Sequence, residues 1–372
     1  MRLPFYRVFG IMILAVIPCI SQASLTDSGL TFGPYLQRVN KHAATILARS
    51  DAAMTIDLYY RAVGAAHWKH NREDSADTQH RYRLTNLKRG RDYEYYLQDE
   101  AGNRLTQTYT MQTQKDVSDD DPLRVAVFGD SGINTTTQYE VASEITSWQP
   151  ELLLHTGDIA YNSGTEQEFI DNFFVVYSNL LPEVPFYGSI GNHEYTTDFA
   201  GPYKDLFETP KNGADEDYYS FNYDQTHFVS LNANLDFSVG STMYEWLQDD
   251  LENTHKRWVI VFFHQPVYSS STHGSTPGMA EALVPLFEDN HVDLVLNGHD
   301  HAYERFRKTN GVTYIVTGGG GNVTYPIVSE LENSVFFLEE NHFVGLIITD
   351  SAITIKAIDQ DGFVFDTVTI EA

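Results

Sequence analysis

Cysteine is nearly absent from this sequence. The 372 residues contain one, Cys19, so a disulfide framework within the chain is excluded, as is a thiolate-ligated metal site. Positive charge is also scarce. The chain has 24 Lys and Arg against 51 Asp and Glu, a formal net charge of −27. That balance argues against binding a nucleic-acid backbone, which needs a basic face. It also makes long-range attraction of anionic substrates poor, so an anion would need a strong local positive centre. Beyond the N-terminus no stretch is apolar enough to cross a bilayer, and there are no internal repeats or low-complexity segments. What remains is ordinary globular composition, with enough length for two domains.

The first residues read as an export signal. Arg2 and Arg7 are followed by an apolar segment from Val8 to Ile17, and Ser21-Gln22-Ala23 fits a small-residue cleavage site. Residues 1–23 are therefore expected to be removed, and Cys19 with them. Pro18 before Cys19 fits a lipidation signal poorly. The mature protein is expected to be exported, periplasmic or secreted, with no membrane segment and no evident protein partner.

Residues 25–114 read as a small all-β domain. Thr45 to Leu47 and Thr55 to Tyr60 alternate as strands do. Leu84, Leu87, Gly90, Tyr93 and Tyr95 form the pattern of a Tyr entering a strand after a corner, as in β-sandwiches of the fibronectin type III kind. His42, His67, His70 and His80 are scattered through it and read as solvated. Residues 115–122, with Asp119, Asp120 and Asp121 in a row, read as a linker. From 123 to 372 strand-like and helix-like stretches alternate, closing in several successive strands, which predicts a layered α/β domain. A helix is expected from Glu166 to Leu180.

Five strand ends in this second domain carry metal-type side chains: Asp130 in Gly129-Asp130-Ser131-Gly132, Asp158 and Tyr161 in Gly157-Asp158-Ile159-Ala160-Tyr161, Asn192 and His193 in Gly191-Asn192-His193-Glu194, His264 after the apolar run Trp258 to Phe263, and His299 and His301 in Gly298-His299-Asp300-His301. Glycines allow tight turns, so short side chains can project over a sheet edge. The carboxyl edge of an open α/β sheet is where ligands bind. Oxygen and imidazole donors suit iron, manganese or zinc. Two ions sharing one carboxylate sit about 3.5–4 Å apart, the spacing used for in-line displacement at phosphorus. Each word is weak alone; several in order, each after a strand, are not a chance pattern.

The series Gly-Asp-x-Gly, Gly-Asp-x-x-Tyr, Gly-Asn-His-Glu, a strand-end His and Gly-His-x-His resembles that of the purple acid phosphatases, a branch of the metallophosphoesterases. Phe32 to Gln37 and His301-Ala302-Tyr303-Glu304-Arg305 extend the likeness to plant-type members. The resemblance implies a metallophosphoesterase sandwich of two mixed β-sheets flanked by helices, preceded by the fibronectin type III-like sandwich. It implies a binuclear centre with Asp130, Tyr161 and His301 on Fe(III). Asn192, His264 and His299 would hold a divalent iron, zinc or manganese ion, with Asp158 bridging. His193 and His273 would hold phosphate and protonate the leaving group. The implied activity is hydrolysis of small phosphorylated substrates, phosphate monoesters, by in-line attack of a metal-bound hydroxide. Two other readings stay open: a phosphodiesterase or nucleotidase on the same scaffold, and a metal-free binding protein.

The remaining motifs receive plainer readings. His155 and His227 sit beside core strands and are expected to make structural hydrogen bonds or to hold metal ligands from behind. His255, His291 and His342 read as surface residues. Gly318 to Gly321 lacks the Lys-Ser/Thr of a P-loop and reads as a tight loop near the metal rim. Asn134-Thr135-Thr136 and Asn322-Val323-Thr324 are glycosylation sequons, meaningful only in a eukaryote.

Overall fold

The computed structural model describes residues 29–214 and 216–372. The expected export signal and Cys19 lie outside them. No helix among the described residues is long and apolar enough to cross a membrane.

The first domain is a sandwich of two antiparallel sheets. Leu30–Gln37, Ala44–Met54 and Asp77–Leu84 form one; Lys69–Arg72, Ile56–Ala62, Asp92–Asp99 and Tyr109–Gln112 form the other. Alternate residues of both face inward, so Leu36, Ile46, Tyr82, Leu58, Tyr95 and Leu97 share one buried cluster. The Tyr93 hydroxyl accepts from the Lys88 backbone N–H at 2.9 Å, the back-bond that a Tyr at a sandwich corner makes. His80 departs from its expected solvation. It is fully buried, bonded at 2.9 Å to both Ser50 Oγ and Glu73. A bracketing serine and carboxylate let an imidazole sit inside without an unmet polar atom.

This sandwich packs on the second domain through its first strand, Leu30–Gln37, and the strand Asp92–Asp99. Phe32 stacks on Phe174 with centroids 3.9 Å apart. Leu36 N–H donates to Leu181 O at 2.9 Å, and the Tyr95 hydroxyl to Pro182 O at 2.6 Å. Residues 115–122 are pinned, not loose. Lys115 pairs with Asp121 at 2.6 Å and Glu151 at 2.8 Å, and Val117 is buried.

The second domain has four layers, two sheets back to back with helices outside. The six-stranded sheet runs in the order Phe186–Gly188, Leu152–His155, Leu123–Phe128, His342–Ile348, Ala352–Asp359, Val364–Glu371. The seven-stranded sheet runs Tyr219–Tyr223, Thr226–Ser230, Trp258–Phe263, Leu294–Asn297, Thr313–Thr317, Tyr303–Phe306, Ser334–Leu338. Val125, Leu154, Leu346, Ile260 and Leu296 fill the space between them. Trp258–Phe263 is buried at all six positions, which explains its unbroken apolar run: a parallel strand covered on both faces has no polar side. Helices Thr136–Trp148, Thr242–Asn253 and Met279–Asp289 pack against the outer faces of the sheets.

The expected Glu166–Leu180 helix is a finding of a different kind. It is α-helical only to Phe169, and Ile170–Phe174 forms a π-turn closed by Val175 N–H to Ile170 O at 3.1 Å. The wider turn keeps Phe169, Phe173 and Phe174 all in the core and brings Asn172 Nδ2 within 2.8 Å of Tyr161 O. The sequence period cannot show this, because one inserted residue leaves the apolar count unchanged. His342 also differs from its expected surface position. It is fully buried, with Nε2 3.1 Å from Thr317 Oγ1 and Nδ1 2.8 Å from Glu340 O.

Candidate metal centre

In each sheet the parallel strands end level with one another. Phe128 pairs with His155 and His155 with Gly188; Phe263 pairs with Asn297. The five motifs therefore emerge at one edge, three from the six-stranded sheet and two from the seven-stranded one. The backbone bends sharply to turn the side chains inward. Asp130 (φ 56°), Asp158 (φ 56°) and His299 (φ 72°) are all left-handed, a conformation that non-glycine residues adopt at a cost of order 1–3 kcal/mol. Two glycines make room. A Cβ on Gly157, itself at φ 97°, would meet His264 Cβ at 2.8 Å, and one on Gly318 would meet Asp130 Oδ2 at 2.7 Å.

The seven side chains fall into two groups. Tyr161 Oη lies 3.1 Å from Asp130 Oδ1 and 3.1 Å from His301 Nε2, and His301 Nε2 lies 3.4 Å from Asp130 Oδ1. In the other group His264 Nε2 is 3.0 Å from Asn192 Oδ1, 3.1 Å from His299 Nδ1 and 3.1 Å from Asp158 Oδ2. Ligand atoms of Asp158, His264 and His299 all lie within 4.8 Å of one another. Asp158 also faces the Tyr161 hydroxyl, so it stands between the groups.

The imidazoles are oriented for ligation. His264 Nδ1 lies 3.0 Å from Thr156 O and His301 Nδ1 lies 2.6 Å from Val323 O. With each Nδ1–H donating to its carbonyl, Nε2 is left as a lone pair aimed inward, the arrangement by which a protein fixes a metal-binding tautomer.

Electrostatics point the same way. Burial and the neighbouring charges of Asp130 and Asp158 push the Tyr161 phenol well up, so only an added cation would make it a phenolate. Burial, with His264 and His273 beside it, holds His299 down at about 2 and therefore neutral. Burial opposes charge on His264, but Asp158 and Asp130 outweigh it and raise that group to about 9. The donor set fits two ions of different kind: three oxygen anions with one imidazole on one side, two imidazoles and an amide oxygen on the other.

The two further histidines lie on opposite sides. His193 Nδ1 is 2.6 Å from Asn162 O, its Nε2 is 3.8 Å from Asp158 Oδ2, and its ring lies 4.3 Å from that of Tyr161. His273 stacks on His299, with centroids 4.2 Å apart.

Three residues that the sequence reading gave no role, Glu194, Asp300 and Tyr325, complete the site with Asn322 of the second sequon. Glu194 is fully buried and accepts four backbone N–H groups, from Asp158, Ile159, Ala160 and Gly191, at 2.8–2.9 Å. It ties the Asp158 loop to the Asn192 loop. Asp300, also fully buried, accepts from the backbone of His273 at 2.8 Å and of Gly274 at 3.2 Å, fixing the loop that presents His273. Tyr325 stacks on His301 at 4.1 Å and meets His273 edge-on at 5.4 Å. Asn322 faces the Tyr161 hydroxyl, so its sequon would place a glycan on the centre. Acidic residues inside the motifs were the available signal for Glu194 and Asp300; Tyr325 had none. His155 and His227 are structural as expected, bonded to Ser131 Oγ at 2.9 Å and Asp250 at 2.7 Å.

Two packed mixed sheets flanked by helices form a metallophosphoesterase-type sandwich, with such donors at the carboxyl ends of its strands. Residues 123–303 match the family described as calcineurin-like phosphoesterase. The chain is similar in sequence to purple acid phosphatases. Purple acid phosphatase 15 of Arabidopsis thaliana is 29% identical over 290 residues, covering 65% of this chain and 53% of that protein. Purple acid phosphatase 22 of the same plant is 31% identical over 227 residues, covering 54% and 51%. The structure of purple acid phosphatase PPD1 from yellow lupin (Lupinus luteus) seeds aligns with a TM-score of 0.82 at 19% identity, covering 91% of this chain and 74% of that one. The last shows the shared fold. The chain spans about half the length of the curated relatives it matches. The family implies a binuclear metal centre.

Proposed function

We propose that this chain is an exported acid phosphatase that hydrolyses small phosphate monoesters at a binuclear metal centre. The observation that carries the reading is the meeting of seven donor side chains from five strand ends in two groups, with Asp158 between them. Asp130, Tyr161 and His301 would hold a ferric ion, Asn192, His264 and His299 a divalent iron, zinc or manganese ion, and Asp158 both. Such a pair supplies the positive charge that an acidic protein needs to attract a phosphate dianion, and it acidifies water enough to furnish a nucleophile near neutral pH or below.

The chain's own groups do the rest. Oxygen donors on one side and imidazoles on the other fix where a phosphoryl group can sit. His193, with Nδ1 committed to Asn162 O, presents Nε2 to that space and can give its proton to the departing alkoxide. His273, held by Asp300 through its backbone, stands on the other side and shares the task. Proton donation of this kind contributes typically ~10²–10⁴-fold. The apolar segment and small-residue site within residues 1–23 support export.

The test is metal content, visible spectrum and rates on a monoester and a diester, measured on one preparation. Stoichiometric iron with monoester turnover, abolished in Asp158→Asn, is expected. Full turnover in Asp158→Asn would remove the bridging role, faster diester cleavage would reassign the substrate, and absence of bound metal would leave only a binding protein.

A further inference from the structure

The charge of this chain is not evenly spread. Residues 30–114 hold 12 of the 24 Lys and Arg but only nine of the 51 Asp and Glu. The sandwich is thus slightly basic on a strongly acidic partner domain. Several of its cations gather around one cavity of about 380 Å³. Arg61, Lys69, Lys88 and Arg91 line it, with Tyr60 and Tyr93 as walls, and no carboxylate side chain lines it.

The pairing of these cations sets the pocket apart. Arg61 is bonded to Glu94 at 2.7 Å. Lys69, Lys88 and Arg91 have no carboxylate partner among the described residues. In a chain with twice as many acids as bases, cations are readily paired, as Lys41, Arg38 and Lys115 are. Three unpaired ones around a single cavity repel each other and leave a local positive field. Arg91 is partly fixed, since Nη2 donates to Val63 O at 2.7 Å. Lys69 Nζ lies 5.9 Å from the centre of the Tyr60 ring. The volume is within the range of about 300–1,000 Å³ that holds small organic ligands.

The pocket is remote from the metal centre. It lies where Gly90 N–H meets Gln114 O at 3.0 Å and Arg89 pairs with Asp116 at 2.8 Å. Lys115 next to them pairs with Glu151, just before the amino end of the Leu152–His155 strand. The metal-type side chains sit at the carboxyl ends of the same strands, across the thickness of the domain.

We propose that this pocket is a binding site for a multiply charged oxyanion, carrying phosphate or sulfate groups on an organic body, separate from the metal centre. The tyrosine walls cover the body and the three free cations meet the charges. Such an anion could be a compact free molecule or one stretch of an anionic polymer; the chemistry recognised is the same.

Isothermal titration of the full chain at low ionic strength tests this. The compact probe is inositol hexasulfate, which has no phosphate ester to cleave, and the polymeric probe is dextran sulfate. One saturable site per chain is expected for the compact probe if the ligand is a free anion, and tight binding of dextran sulfate alone if it is a polymer. In either case Lys69→Gln with Lys88→Gln, two exposed side chains whose loss leaves no buried group unmet, should weaken binding by about tenfold or more. Lys256→Gln with Arg257→Gln, in the other domain, and Asp158→Asn should bind as the parent does. Equal affinity in the Lys69/Lys88 variant, no heat with either probe, an equal loss in the Lys256/Arg257 variant, or loss in Asp158→Asn alone would each overturn the assignment.

Discussion

Replacing Glu194 with Gln removes one negative charge and changes almost no volume, yet it should be among the most damaging substitutions in the chain. Each carboxylate oxygen of Glu194 takes two backbone N–H groups: Oε2 those of Asp158 and Gly191, Oε1 those of Ile159 and Ala160. Burial, and next the charge of nearby Asp158, raise this carboxyl to about 8 in the metal-free protein, against the pull of the N–H donors. Four donors and no acceptor around it leave a protonated form nothing to donate to, so the ionised form is the one that fits. Gln keeps one oxygen and turns an NH₂ toward the other pair of donors. Two buried N–H groups then face a donor, at roughly 1–3 kcal/mol each, or about 2–6 kcal/mol together. A domain is stable by only about 5–15 kcal/mol. Urea unfolding of the metal-free protein, followed by tryptophan fluorescence, should show the midpoint falling sharply. Iron content should fall with it, because the same bonds set the Asp158 and Asn192 loops. An unchanged midpoint would refute the reasoning, since Gln closely mimics a protonated Glu and the carboxyl would then be neutral.

Other outcomes follow from the same geometry. Iron-loaded protein should be coloured by phenolate-to-iron absorption, and Tyr161→Phe should bleach it; a variant as coloured as the parent would mean that Tyr161 is not a ligand. Gly318→Ala places a methyl 2.7 Å from Asp130 Oδ2 and 2.3 Å from Asp300 O, so it should lower metal content before it lowers stability, checked by elemental analysis of folded protein. Burial holds His342 down at about 4. Its folded value lies below the unfolded one of about 6.5, so the unfolded chain takes up a proton first, and stability is lost as pH falls from about 6.5 to 4. The loss reaches about 3 kcal/mol. His342→Gln should flatten that part of the stability–pH curve, and an equal slope in both proteins would count against it.

Much of the site could be read in the sequence because its signals are local. An apolar run followed by glycine and a short oxygen or imidazole donor marks a strand end wherever it occurs. Asp130, Asp158, Tyr161, Asn192, His299 and His301 were found this way and His264 by the apolar run alone, and their grouping needed only the family likeness. The helix starts at Thr136 and Thr242 are local in the same sense, since the Thr135 and Ser241 caps belong to the segment itself. The π-turn after Phe169 was not, because it answers to Asn172 reaching Tyr161 and to phenylalanines filling a core built by distant strands.

Sequence alone therefore determined which donors this protein has and that each stands at the end of a strand. The fold decided that those ends come from two sheets and meet at one edge. It decided that carbonyls of Thr156 and Val323 choose the imidazole tautomers, that Glu194 and Asp300 hold the loops, and that His80 and His342 are inside. It also left three lysine and arginine charges facing one cavity with no carboxylate partner among the described residues. The physical reason is the same throughout: residue type and spacing are properties of one segment, whereas burial, tautomer and charge pairing depend on which segments the packed core brings together.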